Sequence, residues 1–274
     1  MLNKRYNPSR HPVLWAIGIL QSLIVLVPLS VIAVWCFATS WAAPSLLPGG
    51  IGLQNIETVI SMTPDFPELI LGSVALSLGV SIVCVLISLL VGHALAFYDF
   101  KGKYLLDFLT FLPVIIPATA FGMGMHVFFL RVGLAGTILG VALVHIIVLI
   151  PYSIKIMTDS LRLLGRSLYE QAWSFGASPL RAFIDVALPP MIPSIVSALS
   201  LVFIGSFGQY FLTLIIGGGK VQTLALAMFP WVTSPDRGTA TVFACIYLLV
   251  SLVVFVFLDF VGKRASWNQK TYLM

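Results

Sequence analysis

Long apolar blocks alternate with short polar stretches along the 274-residue chain, and this pattern predicts six membrane-spanning helices. A block of about 20 apolar residues is long enough to cross roughly 30 Å of hydrocarbon as an α-helix. Pro113 and Pro117 lie inside the third block and predict a break there, because proline lacks a backbone donor and clashes with the preceding turn. The predicted spans are residues 13–39, 69–98, 108–130, 134–154, 191–216 and 239–260. The expected fold class is therefore all-α, a polytopic membrane protein in which residues 1–274 form one transmembrane domain.

Two of the loops between these spans also contain apolar segments. Residues 53–60, within the loop of residues 40–67, have the length of a short interfacial helix. Leu224–Val232, between the last two spans, predicts a helix or a re-entrant segment. Neither segment is long enough to cross a bilayer, so the predicted number of crossings stays six.

The composition indicates that the solvent of this chain is a bilayer. Apolar residues make up 59% of the chain and charged residues 9%, whereas a soluble domain carries about 25% charged residues. The formal net charge of +5 is spread over the ends of the apolar blocks, where membrane topology and anionic lipid headgroups account for it. This distribution predicts contact with the lipid bilayer and no binding of nucleic acid.

The basic residues are distributed unequally between the two sides that six spans define. One side carries 12 of the 15 basic residues and the other carries 3. The larger set is Lys4, Arg5, Arg10, Lys101, Lys103, Lys155, Arg162, Arg166, Arg181, Lys263, Arg264 and Lys270. The smaller set is Arg131, Lys220 and Arg237. Because cytoplasmic loops are enriched in Lys and Arg, both termini and the polar segment of residues 155–190 are predicted to be cytoplasmic.

That polar segment predicts two short helices joined at an angle. Ser167 and Glu170 have the spacing of a capping box at the start of the first helix. Gly176 is placed to end this helix, because glycine tolerates the left-handed conformation that follows many helices. Ser178–Pro179 predicts the N-cap and first residue of the second helix, which Pro189–Pro190 is expected to close or kink. The large apolar side chains here lie outside any span, which is typical of a partner site; an amphipathic helix on the lipid surface is the alternative.

The same stretch resembles the EAA loop of binding-protein-dependent ABC importer permeases. That loop has Glu-Ala-Ala, three residues, Gly, nine residues and then Ile-x-Leu-Pro. The residues at the matching positions are Glu170, Ala172, Gly176, Val186, Leu188 and Pro189. Gln171 replaces the first alanine and Val186 replaces isoleucine, and both changes are mild. The resemblance implies the type I ABC importer permease fold, with residues 159–190 as the coupling loop and its first helix as the cytoplasmic coupling helix.

The resemblance also implies what the chain does and what it assembles with. It implies a permease that is not an enzyme and holds no cofactor, since ATP and Mg²⁺ are bound by a dimer of separate cytoplasmic ATPase subunits. It further implies a second permease subunit, identical or homologous, and an extracytoplasmic solute-binding protein, at the cytoplasmic (inner) membrane of a bacterium. The residues expected to couple to the ATPase are Ser167, Tyr169, Glu170, Ala172, Trp173, Gly176, Leu188 and Pro189. The span layout and residues 209–226 resemble permeases for polyamines, thiamine, iron(III) or phosphonates.

Motifs for other chemistry are weak in this sequence. The run Gly217–Lys220 lacks the GxxxxGK[ST] spacing of a phosphate loop. Three histidines lie in separate spans without the spacing of a metal site, so each is interpreted as a polar residue that is hydrogen-bonded between helices. They are His93, His126 and His145. The three cysteines, each inside an apolar block, are interpreted as packing residues rather than metal ligands or disulfide partners. They are Cys36, Cys84 and Cys245.

The span centres contain almost no acidic or basic residues. A transporter driven by protons or sodium ions normally has such groups within the membrane, so the sequence favours an energy source outside it. A stand-alone secondary transporter or channel is the first alternative, and a membrane scaffold without transport is the second.

The fifth predicted span is the most polar one and suggests a translocation path. Ser206, Gln209 and Thr213 are spaced i, i+3 and i+7, which places them on one face of a helix. Gly205 and Gly208 in the same span allow bending or close packing. Hydrogen bonding between helices, which membrane proteins use widely, is the alternative role of this polar stripe.

Overall fold

The computed structural model describes residues 12–41, 45, 47–63 and 65–270, and for residues 12–14 and 265–270 it describes the backbone alone. Two compact units are present. Of the described residues, one unit contains those before position 65 together with 231–246, and the other contains 65–230 together with 247–270. The single domain expected over residues 1–274 stays a prediction. Lys4, Arg5 and Arg10, used above to assign topology, lie outside the described residues.

The described residues are mainly helical. In the first unit the elements are α1 (Pro12–Cys36), β1 (Ala38–Ser40), β2 (Gly50–Ile51) and α2 (Gln54–Met62). In the second unit they are α3 (Phe66–Phe97), α4 (Lys103–Ile115), α5 (Ala118–Arg131), α6 (Ile138–Leu164), α7 (Ser167–Ser174), α8 (Pro179–Arg181), a π-helical turn (Ala182–Ala187), α9 (Leu188–Phe207) and α10 (Tyr210–Gly217). The helices α11 (Leu224–Val232) and α12 (Arg237–Lys270) contribute residues to both units.

Within the described part of the chain, five helices are long and apolar enough to cross a membrane, or up to six if one bent pair counts as a span. The bent pair is α4 and α5, whose axes differ by 101°. The break lies at Ile116, which is extended (φ −73°, ψ 135°) because it precedes Pro117. The break predicted in the third span is therefore confirmed at Pro117, whereas Pro113 lies inside α4 without ending it.

Two predicted spans differ from the helices that form, one in where it ends and one in being divided. The fourth span was expected to end at residue 154, but α6 continues through Pro151 to Leu164 and ends at Gly165 (φ +78°). Membrane helices tolerate proline where neighbouring groups satisfy the freed backbone. The fifth span was expected over residues 191–216, but α9 ends at Phe207 and α10 begins at Tyr210. The segment predicted as one span thus forms two helices.

The second unit is built around close contacts among α3, α6 and α9. Gly205 lies against α6, since a Cβ there would come within 2.7 Å of a methyl group of Leu149. A Cβ at Gly208 would lie 2.7 Å from the hydroxyl of Tyr247. Bending or close packing was predicted for these two glycines, and the structure shows close packing at both. Small residues let helix backbones approach closely in membranes, where packing is a main source of association.

The first unit contains a short antiparallel pair and a polar cluster. β1 pairs with β2, and Asn55 of α2 donates from Nδ2 to the carbonyls of Trp35, Cys36 and Ala38 at 3.4, 3.2 and 2.9 Å. The helix predicted near residues 53–60 is confirmed as α2, and the helix predicted at Leu224–Val232 is confirmed as α11.

Candidate functional site

The hook, defined here as residues 165–187, contains α7, α8 and the π-helical turn. The first helix ends as the sequence predicts, at Gly176 in the left-handed conformation (φ +81°). The amide of Gly176 donates to the Trp173 carbonyl at 2.8 Å, and that of Ala177 donates to the Ala172 carbonyl at 3.0 Å. These two bonds form a Schellman motif, which satisfies carbonyls at the end of the helix. The chain direction after α7 is therefore fixed by local hydrogen bonds.

The predicted capping box at the start of α7 is wrong. The N-cap position is Arg166, whose backbone is already helical (φ −75°, ψ −24°), and no side chain caps the helix. Ser167 therefore lies inside the helix rather than before it. The Glu170 carboxylate instead pairs with Arg166, with Oε1 at 3.3 Å from Nε, and both side chains are largely exposed. The Ser167–Glu170 spacing identified the correct turn but not the interaction.

The second half of the hook starts as predicted and continues differently. The Ser178 hydroxyl accepts from the Arg181 amide at 3.4 Å, so the N-cap at Ser178 is confirmed. Pro189–Pro190 was expected to close or kink the following helix, but both prolines lie in the first turn of α9. The π-helical turn just before them explains this. In it, an amide bonds the carbonyl five residues earlier, as the Leu188 amide does with the Phe183 carbonyl. This wider turn comes directly before the two prolines, which have no amide hydrogen to donate.

Burial divides the predicted coupling residues into two groups. Tyr169 and Ala172 form a buried cluster with Ala182 and Ala187, which joins the two halves of the hook, and Phe97 of α3 packs against this cluster. Leu188 and Pro189 are partly buried in α9. The exposed members are Ser167, Glu170, Trp173 and Gly176. The ATPase-coupling role of all these residues stays a prediction, and the exposed group is the one that a partner can reach.

One aromatic side chain that the motif does not include is the most prominent feature of the hook. Phe175, at the C-cap of α7, is 92% exposed, and Trp173 beside it is 40% exposed. The sequence signal for this feature was an aromatic residue, Phe175, directly before the glycine that ends the helix. A large apolar tip on a polar segment is typical of a protein contact.

The predicted translocation stripe has a different geometry from the one expected. Ser206 lies in the last turn of α9, Gln209 is the N-cap of α10 and Thr213 lies within α10, so the three do not share one helical face. His145 of α6 joins two of them, with Nδ1 2.9 Å from Ser206 Oγ and Nε2 3.0 Å from Thr213 Oγ1. All three of these side chains are buried. Hydrogen bonding between helices accounts for Ser206 and Thr213, and a pathway role for the stripe stays a prediction.

This His145 network has one consistent arrangement of protons. The Thr213 hydroxyl donates to the Gln209 carbonyl at 2.5 Å. Its oxygen therefore accepts from Nε2–H of His145, which leaves Nδ1 to accept from the Ser206 hydroxyl. The interpretation of His145 as a residue satisfied between helices is confirmed. The imidazole thereby connects both sides of the break between α9 and α10 to α6.

We expect the His145→Leu variant to be less stable than the wild type by about 1–3 kcal/mol, because two interhelical hydrogen bonds are lost. The thermal unfolding midpoint of the purified chain in detergent measures this. Ser160→Ala is the matched control, since it removes one partly buried bond between α6 and α9, Ser160 Oγ to Ser194 Oγ at 2.9 Å. Equal midpoints for His145→Leu and the wild type would show that the network does not stabilise the fold.

The other two histidines differ from His145. His93 is surrounded by rings, with Phe97 and Tyr169 at centroid distances of 5.2 and 5.6 Å. The Nδ1 atom of His126 is buried and has no hydrogen-bond partner among the described residues. Over the same part of the chain, no group of three or more His, Cys, Asp or Glu side chains is placed to hold a metal ion.

Comparisons with known proteins agree on one family. The family described as binding-protein-dependent transport system inner membrane component matches residues 85–267. A probable sulfate transport system permease protein of Nephroselmis olivacea is 29% identical over 188 residues, which cover 63% of this chain and 66% of that protein. The sulfate transport system permease protein of Salmonella typhimurium is 25% identical over 257 residues, 88% of each chain. The molybdenum transport system permease protein of Haemophilus influenzae is 27% identical over 215 residues, covering 71% of this chain and 94% of that protein.

A solved structure supports the fold. One chain of a bacterial alginate ABC transporter, in complex with an alginate pentasaccharide-bound periplasmic protein, superposes with a TM-score of 0.70 at 15% identity. The superposition covers 94% of this chain and 96% of that chain. At this identity the likeness concerns the fold alone, which is that of a type I ABC importer permease.

Proposed function

The chain belongs to the family of binding-protein-dependent transport system inner membrane components, and on this premise we propose that it forms half of the membrane pathway of an ATP-driven importer for sulfate or molybdate. Both are tetrahedral divalent oxyanions, so one pathway can accept either. The single observation that carries the proposal is the hook, in which local hydrogen bonds end α7 at Gly176 and Phe175 beside that end is almost fully exposed.

The solute class rests on the relatives. Their names refer to sulfate and molybdenum transport, not to the polyamine, thiamine, iron(III) or phosphonate classes expected from the sequence. We therefore replace that expectation with an oxyanion. The alginate transporter is related in fold only and carries no weight for the solute.

In the proposed assembly, the chain pairs with a second permease subunit and two cytoplasmic ATPase subunits, which bind ATP and Mg²⁺. An extracytoplasmic binding protein delivers the solute, and both termini lie in the cytoplasm. ATP binding closes the ATPase pair and moves the hooks, and the attached helices α3, α6 and α9 follow as a packed body. The buried cluster of Tyr169, Ala172, Ala182 and Ala187 supports this, because Phe97 of α3 and Leu164 of α6 pack against it.

The proposal predicts uptake of radiolabelled sulfate that depends on cytoplasmic ATP. In cells lacking the chain, uptake is expected to fall to background and to return on complementation, and excess molybdate is expected to compete. Depletion of ATP should stop uptake, whereas collapse of the proton gradient at constant ATP should not. Uptake that follows the proton gradient would instead identify a secondary transporter. Uptake of spermidine or thiamine, with no uptake of sulfate or molybdate, would contradict the oxyanion proposal and support the polyamine or thiamine class.

A further inference from the structure

A cavity of about 310 Å³ lies between the cytoplasm-facing end of α3, as predicted above, and the hook. Leu89, Leu90 and His93 line it on the α3 side, and Tyr169 and Trp173 line it on the hook side, with Arg166 beside them. The cavity is therefore bounded by the same helix that carries the proposed coupling surface. A molecule in it contacts both the hook and the spans.

Along α3 the lining runs from Leu89 and Leu90, which are apolar, to Tyr98, which carries a hydroxyl. Leu90 is 74% exposed on a helix that is long and apolar enough to cross a membrane. Tyr98, the C-cap of α3, also lines the cavity, and at 1.5 Å per residue it is about 12 Å further along the axis. The apolar end of the cavity thus lies toward the membrane interior and the polar end toward its surface. This is the polarity of a phospholipid in the adjacent leaflet.

Tyr169, which lines the cavity, carries a buried hydrogen-bond donor. The Tyr169 side chain is 3% exposed, and its hydroxyl has no hydrogen-bond partner within the part of the chain that the structure describes. Burial, with a smaller effect from Tyr98, raises the pKa of Tyr169 to about 12. The hydroxyl is therefore protonated at neutral pH and able to donate to an oxygen atom. Buried polar groups are rarely left unpaired, which points to an oxygen supplied by a bound molecule.

Charge indicates which kind of headgroup fits. Of the residues that line the cavity, Arg166 carries the only formal charge. Its pairing with Glu170 at 3.3 Å involves two largely exposed side chains and is weak. A guanidinium with a nearby hydroxyl donor suits a phosphate oxygen, because charge-assisted hydrogen bonds are the stronger ones.

We propose that this cavity binds one anionic phospholipid, with its phosphate between Arg166 and Tyr169 and an acyl chain against Leu89 and Leu90. The lipid fills the space between α3 and the hook and holds the two together. Binding itself does not depend on the proposed transport function. Only the consequence for coupling rests on that function.

Native mass spectrometry of the purified full-length chain, or of the complex it purifies with, tests the binding. The probes are phosphatidylglycerol and phosphatidylcholine of matched acyl chains. We expect one tightly held phosphatidylglycerol and weaker retention of phosphatidylcholine. Arg166→Gln should lower phosphatidylglycerol affinity about tenfold through loss of the charge-assisted bond, and Tyr169→Phe should lower it roughly fivefold through loss of a neutral one. Arg181→Gln and Tyr104→Phe, which change the same residue types outside the cavity, are the matched controls.

Three outcomes overturn the proposal. Equal retention of the two lipids by the wild type would exclude a phosphate site. Unchanged affinity in both Arg166→Gln and Tyr169→Phe would place any bound lipid elsewhere. A photo-reactive side chain at position 90 that labels an ATPase subunit instead of lipid would identify the cavity as part of the protein interface. Leu90→Trp, which adds bulk to the cavity from α3 and leaves the hook sequence unchanged, should also reduce binding, so a folding defect in the Tyr169 variant does not decide the result.

Transport measurements separate this proposal from the preceding one. If phosphatidylglycerol binds as described but sulfate uptake is absent, the lipid site stands and the solute proposal fails. If sulfate uptake occurs but the protein shows no preference for phosphatidylglycerol, the solute proposal stands and the lipid site fails. Where both stand, uptake by the Arg166→Gln variant is expected to lose its dependence on anionic lipid in reconstituted vesicles.

Discussion

The Gly176→Val variant is expected to insert into the membrane and to lose solute uptake together with solute-stimulated ATP hydrolysis. Gly176 has φ +81°, and no atom lies within 4 Å of the position a Cβ would take, so the effect is conformational rather than steric. Left-handed backbone costs an L-residue about 1–2 kcal/mol, and more for a β-branched one. This cost lowers the ratio of native to altered turn by roughly 5- to 30-fold. The same cost is small compared with the about 5–15 kcal/mol that stabilises a folded domain, so we expect the variant to fold.

The altered turn changes where the tip of the hook lies. The Schellman bonds from Gly176 and Ala177 set the direction in which the chain leaves α7. Without them, Phe175 and the start of α8 move relative to the buried cluster that holds α7. We therefore expect uptake to fall about tenfold or more, in line with the shifted turn population, with membrane-inserted protein near the wild-type amount.

Two further variants test the cause. Gly133→Val is the matched control, because Gly133 also has positive φ (+74°) and open space around its Cβ position but follows α5 instead of the hook. Gly176→Asn should keep most of the activity, since asparagine tolerates the left-handed region. Normal uptake by Gly176→Val would argue against a role of this turn in coupling. Equal losses in Gly176→Val and Gly133→Val would point to a general effect of backbone strain.

Replacing Phe175 with alanine is expected to weaken the association with the ATPase without destabilising the chain. The side chain is 92% exposed, so it contributes little to packing within the subunit. Removal of a large aromatic anchor at a protein interface costs about 2 kcal/mol or more, which corresponds to a roughly 30-fold weaker complex. The effect is measured by purifying the complex in mild detergent and then measuring the rate at which the ATPase subunit dissociates from it.

Tyr104 provides the matched control for Phe175. It is an aromatic residue of similar size and is 91% exposed, but it lies at the start of α4 outside the hook. Tyr104→Ala should leave ATPase association unchanged. Retention of the ATPase by Phe175→Ala would mean that the partner contacts another face of the hook, and a lower unfolding midpoint would mean that Phe175 packs within the subunit.

Hydropathy and local backbone chemistry are the features that the sequence determined by itself. The spans are readable because lipid offers the backbone no hydrogen bonds, so any long apolar block must form a helix. The helix end at Gly176 and the cap at Ser178 were also predictable, since each depends on one residue and hydrogen bonds to immediate neighbours. The spacing of the hook was sufficient to indicate its family, and residues 85–267 confirm it.

The tertiary structure decided the features that depend on distant residues. The capping box is a separate case with a local cause, because the backbone at Arg166 is already helical after Gly165 (φ +78°) and Ser167 does not occupy the cap position. At the division of the fifth span, Tyr247 occupies the space beside Gly208, and His145 forms hydrogen bonds with residues on both sides of the break. Burial of Tyr169 likewise depends on Phe97 and Phe183. Such contacts join residues far apart in sequence, and a local pattern contains no information about which side chain fills a given space.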